Sequence, residues 1–186
     1  MSKGFTLLEL IIVIGIIAIL GTVSVLVLNP AELFAQARDT TRISDLATVS
    51  NAINLYLTNV ASPSLQGGSI TCGTNFGSSV AGASRYAGAP ATTLANAAVY
   101  TTGGSGWVSV NFGAMTGGSP LGTLPRDPTN ITTYNYQYSC DNTNKLYELA
   151  AHMESAKYKN GGASDKETTD GGDESGAYEV GNSLTL

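Results

Sequence analysis

Residues Leu10–Leu28 are nineteen consecutive positions without a charge, LIIVIGIIAILGTVSVLVL. As a helix, a stretch of this length spans or nearly spans the hydrocarbon of a bilayer. Asn29-Pro30 ends the run, because proline lacks a backbone donor and kinks or restarts a helix. Helical spacing then resumes over Ala31–Leu57. Ile43, Leu46, Ser50, Ile53 and Leu57 recur three and four positions apart and predict one mostly apolar face. Arg38, Asp39, Arg42 and Asp45 fall mainly off that face. They are read as a solvated side of the helix, with contacts to neighbouring subunits as the alternative. Gly15 and Gly21 lower helix propensity within the apolar run by about 1 kcal/mol each. They allow either local loosening or close helix packing.

Beyond the helix the pattern changes. Residues 61–106 are rich in Gly, Ser, Ala and Thr and predict a variable loop region, with Gly67-Gly68 and Gly103-Gly104 as turns. Within it, Ser69–Cys72 has strand character and Thr92–Ala98 short-helix character. Trp107–Phe112 alternates as a strand does. Leu124–Pro128 reads as a turn, and Tyr134–Cys140 alternates strictly with its tyrosines on one face. Lys145–Glu154 follows a polar loop, so the two segments predict a hairpin. The tyrosine face is read as sheet packing. Tyr178–Val180 is a final strand.

Composition narrows the function. Only 12% of residues are charged, and the net charge is −5. Asp165, Glu167, Asp170, Asp173, Glu174 and Glu179 face Lys166 alone in residues 161–186, which therefore carry the whole imbalance. No broad basic surface argues for nucleic acid. Cys72 and Cys140 are a candidate disulfide if this part of the chain is exported, with two buried thiols as the alternative. The one histidine, His152, lies in a strand-like stretch with no catalytic motif around it, so no enzyme site is expected. No phosphate-binding loop is present.

The N-terminus carries the sharpest signal. Lys3 precedes the apolar run, which places the N-terminus inside and the remainder outside. Glu9 sits at the entrance to that run. A carboxylate at the bilayer centre costs on the order of 2.5–3.5 kcal/mol by insertion scales and persists where it has a partner or a task. The segment offers it no cation at helical spacing. A solvated position among headgroups is the plain alternative.

Lys3-Gly4-Phe5-Thr6-Leu7-Leu8-Glu9-Leu10 resembles the class III signal of type IV prepilins and type II secretion pseudopilins. The resemblance is strong over residues 1–35 and continues as pattern to Leu57. It implies an α+β, pilin-like fold: a long N-terminal helix, apolar in its first half, packed on a small antiparallel sheet head. The divisions it implies are a leader at 1–4, a membrane or filament-core helix at 5–28, the second half of the helix at 29–60 and the head at 61–186. A prepilin peptidase would cut between Gly4 and Phe5 and methylate the Phe5 amine. Glu9 would pair with the N-terminal amine of a neighbouring subunit and set register, since either charge alone is costly in an apolar bundle.

The Leu-Pro-Arg-Asp-Pro turn before a tyrosine-rich hairpin is similar to that of major pseudopilins. Those proteins hold calcium in a C-terminal loop, which makes Asp165, Asp170, Asp173 and Glu174 candidate ligands; a solvated acidic loop is the alternative. No other cofactor is expected. The implied role is a subunit of a homopolymeric filament, most closely a major pseudopilin of a type II secretion-like system. A major or minor type IV pilin and a membrane-anchored binding module are the alternatives. Implied partners are further copies of the chain, the peptidase, an inner-membrane assembly platform and lipid before assembly. The implied location is the cytoplasmic membrane and then an extracytoplasmic filament.

Overall fold

The computed structural model describes residues 4–68, 70–86, 93–95 and 99–186. It is an α+β, pilin-like arrangement. Helix α1 is Leu7–Leu28 and helix α2 is Pro30–Asn59. Between them Asn29 adopts a left-handed backbone (φ 39°) and Pro30 opens α2. Asn tolerates that region better than most residues, and proline at the first helical position forgoes only a donor that would be orphaned anyway.

Five strands follow: β1 Asn75–Ser78, β2 Thr93–Ala95, β3 Tyr136–Asp141, β4 Leu146–Ala151 and β5 Tyr178–Gly181. The sheet order is β2-β1-β3-β4-β5, with β2 parallel to β1 and every other neighbour antiparallel. The predicted hairpin is β3–β4, in register from Tyr136 opposite Ala151 to Asp141 opposite Leu146. Lys145 turns its corner with a positive φ of 59°.

The core lies between α2 and the sheet. Leu46, Val49, Ile53 and Tyr56 meet Tyr136, Tyr138 and Cys140 of β3, and Tyr147, Leu149 and Ala151 of β4. Each large apolar side chain sequestered this way stabilises the fold by roughly 1.5–3 kcal/mol. The buried tyrosine hydroxyls all find partners, as burial requires. Tyr138 donates to the Leu65 carbonyl at 2.7 Å, Tyr136 to Asp45 at 2.8 Å, and Tyr147 lies 2.8 Å from the Ser50 hydroxyl. Tyr134, by contrast, precedes the strand and is only half-buried. Cys72 and Cys140 form a disulfide across a separation of 68 residues. In the chain-entropy treatment a loop of this size stabilises the fold by roughly 4 kcal/mol.

The charged side of α2 is not solvated. The buried stripe of the helix runs through Ala35, Asp39, Arg42, Leu46, Val49, Ile53 and Tyr56. Charge and apolar contact therefore share one face. Arg42 is fully buried and donates through Nε and Nη2 to both oxygens of Asp127, at 2.7 and 3.0 Å. Its Nη1 donates to Asp39 at 2.7 Å. Asp39 in turn accepts the backbone N–H groups of Glu154 and Ser155, both at 2.8 Å. Arg38 pairs with Glu154 at the rim. Burial works against the Arg42 charge, but the bonds to Asp127 and Asp39 hold its pKa above the usual value. The bond from Arg38 holds the Glu154 carboxyl below its usual range. Asp39 and Arg42 stand three positions apart on the helix. The deciding partner, Asp127, lies in the Leu124–Pro128 turn.

Two local expectations also change. Trp107–Phe112 is not a strand. Trp107, Val108, Ser109, Val110 and Phe112 are all buried, so the segment runs through the core and closes in a 3-10 turn at Phe112–Ala114. Its backbone bonds go to irregular partners: Trp107 N–H to the Val99 carbonyl and Phe112 N–H to that of Thr102. The Trp107 carbonyl lies so close to Gly77 of β1 that a Cβ there would stand 1.8 Å from it. Thr93–Ala95 is a strand rather than part of a helix, taken up by pairing with β1. The rest of that expected helix, and Ser69 of the expected strand at 69–72, lie outside the described residues. Ile70 makes an isolated bridge to Gly67. Strand β1 itself fell within the segment read as loop.

Arg42→Met leaves Asp39 and Asp127 buried without their shared cation. Removing one member of such a set costs about 3–5 kcal/mol. The expected result in thermal unfolding is a large fall in Tm, with Arg42→Lys intermediate because it restores charge without the two-pronged geometry.

Candidate functional site

The site begins where the chain is still extended. Helix α1 starts at Leu7, so the Gly4–Phe5 bond lies outside any helix, and both residues are exposed. Among the described residues nothing lies within 4 Å of where a Cβ on Gly4 would stand. Phe5 is 85% exposed. An extended, unpacked peptide is what a protease groove can accept.

Thr6 caps the helix. Its hydroxyl oxygen accepts the Glu9 N–H at 3.2 Å, while the Glu9 carboxylate accepts both the Thr6 N–H and the Thr6 hydroxyl at 2.9 Å. This reciprocal capping box satisfies two donors that a helix start leaves orphaned. It also fixes where Glu9 points: back toward residue 5, against the first turn. The Thr-x-x-Glu spacing was visible in sequence, although Glu9 alone drew attention there.

From Leu10 to Leu28 the side chains described are exposed in the isolated chain. The few polar ones are satisfied internally. Thr22 donates to the Ile19 carbonyl at 2.8 Å and Ser24 to that of Leu20 at 2.8 Å. This is how hydroxyls are accommodated where no water is available. By length and composition this is one helix able to cross a membrane. Its 22 residues reach about 33 Å, close to the hydrocarbon thickness.

Residues 1–25 carry the prokaryotic N-terminal methylation motif. It is the class III signal of type IV pilins and pseudopilins. No curated protein and no solved structure matches the chain. The methylation motif supports a type IV pilin- or pseudopilin-like subunit and marks a structural family. It implies processing by a prepilin peptidase and pilin-like assembly. Together with the apolar helix it fits a membrane-anchored pilin.

The second candidate region is the acidic segment before β5. Asp165 accepts the N–H groups of Gly161, Glu167 and Thr168 and the Thr168 hydroxyl. The Thr168 hydroxyl and these N–H groups hold its carboxyl down at about 2. Asp170 accepts the Gly172 and Glu179 N–H groups, and Glu174 that of Gly176. Three of the four acids expected to ligate calcium are thus engaged with the backbone around them, and Asp173 is exposed. They do not converge: among the described residues no group of three or more His, Cys, Asp or Glu side chains is placed to hold a metal ion.

Two acids of the sheet are buried beneath this segment without any local signal of it. Glu148 of β4 and Glu179 of β5 are each 3% exposed. Burial pushes the Glu179 carboxyl up to about 8, with the charges of Glu148, Asp170 and Asp173 adding to it. Nothing in the local sequence distinguishes these acids from solvated ones, because only the sheet brings them under the loop. His152 has a structural setting. Its ring lies tilted against that of Tyr86, with centroids 3.9 Å apart, its Nδ1 meets the Gly176 carbonyl, and burial lowers its pKa.

Glu179 binds its proton more tightly folded than unfolded. Its contribution to stability is therefore complete below the ordinary glutamate range, near 4.5, and is lost as pH rises through about 8. Raising the pH from 5 to 9 is expected to lower Tm, and Glu179→Gln is expected to show a smaller fall. Thermal unfolding of both proteins across that range checks this.

Proposed function

We propose that the chain is a structural subunit of a type IV pilus-like filament, most closely a major pseudopilin of a type II secretion-like system. The observation that carries the reading is the pairing of an exposed Gly4–Phe5 bond with a capped Glu9 at the mouth of a bare apolar helix. Cleavage there frees an amine on Phe5, which the peptidase then methylates. The Thr6 cap keeps the Glu9 carboxylate at the level of that amine. In an apolar bundle the amine of one copy and the carboxylate of the next are each costly alone and attract strongly together. The pair therefore specifies register between copies, while the apolar face of α1 supplies the contact area.

Before assembly α1 rests in the cytoplasmic membrane with Lys3 inside, and the head is outside. The assembly platform there delivers the subunit into the growing polymer. The Asp127 turn, which anchors Arg42, favours the pseudopilin reading. The disulfide between Cys72 and Cys140 favours a second reading, a major or minor type IV pilin of a surface pilus.

Mass spectrometry of the mature protein is expected to find N-methylphenylalanine from Phe5 at the N-terminus. Retention of the first four residues would overturn the reading. Glu9→Gln is expected to be processed normally yet to yield far less polymer in the fraction sheared from cells. Polymer at the wild-type level would contradict the register role.

A further inference from the structure

The loop after β1 places Arg85 beneath the acidic segment. Its side chain is 7% exposed. Nη2 donates to Glu148 Oε1 at 3.0 Å and to the Leu186 carbonyl at 2.7 Å, and Nη1 to Gln137 Oε1 at 3.3 Å. The other oxygen of Glu148 accepts the Leu186 N–H at 2.8 Å. The guanidinium lies 5.7 Å from the centre of the Phe76 ring. Arg85 lines a cavity of about 10 Å³ together with Glu148, Asp173, Glu174 and Glu179. That volume holds about one water. Among the described residues the buried Arg85 Nε has no hydrogen-bond partner, so the guanidinium retains a donor beyond those used on Glu148, Gln137 and Leu186.

We propose that Arg85 is the structural cation of the acidic segment, holding residues 170–186 on the sheet in the place where the resemblance expects calcium. Glu148 and Glu179 are buried beside this small space, and a buried carboxylate needs a cation or its proton to stay there. Calcium takes six to eight oxygens converging at 2.3–2.6 Å. Here Asp165, Asp170 and Glu174 bond backbone N–H groups instead, and the Arg85 guanidinium pairs with Glu148 of β4 beneath the segment. A second cation beside Arg85 would be repelled at short range. The bond to the Leu186 carbonyl and the ion pair to Glu148 join the loop after β1, strand β4 and the end of the described chain in one contact. This clasp does not depend on filament assembly and would operate in a single subunit.

The test uses the full-length chain in detergent micelles, with unfolding followed by Trp107 fluorescence and segment protection by hydrogen exchange. For the wild type, Tm is expected to be the same in millimolar calcium and in chelator. Arg85→Met is expected to lower Tm by about 10 °C and to speed exchange across residues 170–186. Calcium that stabilises Arg85→Met but leaves the wild type unmoved supports the proposal. A Tm that rises with calcium in the wild type overturns it, as does unchanged protection of 170–186 in Arg85→Met. The wild-type comparison needs no variant, so a poorly folding Arg85→Met does not remove the test. Arg85→Lys, which keeps the charge and loses the fork, is expected to fall between the two.

Discussion

The attachment of the head to its helix rests on one buried guanidinium. Arg42 reaches from the middle of α2 to Asp127 in a turn 85 residues further along the chain and takes Asp39 on the way. Asp39 carries the contact onward to the backbone after β4. A carboxylate–guanidinium set of this kind gives little net stability over a hydrophobic replacement, yet removing any one member is severe. Its worth lies in geometry. Only one rotation of the helix about its axis puts Arg42 over Asp127, so the set fixes how α2 meets the sheet. The apolar contacts from Leu46 to Tyr56 then complete the seat.

The helix is thereby divided into zones with different chemistry. The described side chains of α1 are exposed in the isolated chain. The first turns of α2 are tied to the head through polar side chains, beginning with Glu32, which accepts the Ala156 and Lys157 N–H groups. The last turns are held by apolar packing. The N-terminal capping box belongs to the same logic of satisfied groups. Thr6 and Glu9 close the helix start without help from the head, so the end that carries the methylation motif is already organised in a lone subunit.

Much of this was readable from the order of residues. The bare helix, the break at Asn29-Pro30, the β3–β4 hairpin and the last strand all follow from local pattern, and the N-terminal signal was specific by itself. What was missed depends on distance along the chain. Asp39 and Arg42 look like an ordinary surface pair until Asp127 is folded over them. Trp107–Phe112 alternates like a strand, but every residue of it except Asn111 is buried and its hydrogen bonds go to loops, so periodicity misleads. β1 is short and contains Gly77, which removes the signal that a strand normally gives and is needed because the Trp107 carbonyl presses on it. Arg85, Glu148 and Glu179 stand far apart in sequence and meet only across the sheet.

Asn29 has a mechanical consequence for the whole subunit. Its left-handed backbone, followed by a residue without an N–H, interrupts the ladder of helical bonds at a single point. On one side is a stiff rod and on the other a helix bolted to the head by Arg42. Small changes in two torsions at that point swing the rod like a lever while each helix stays intact. The angle between rod and head is consequently an adjustable quantity, set by whatever crowds around the rod.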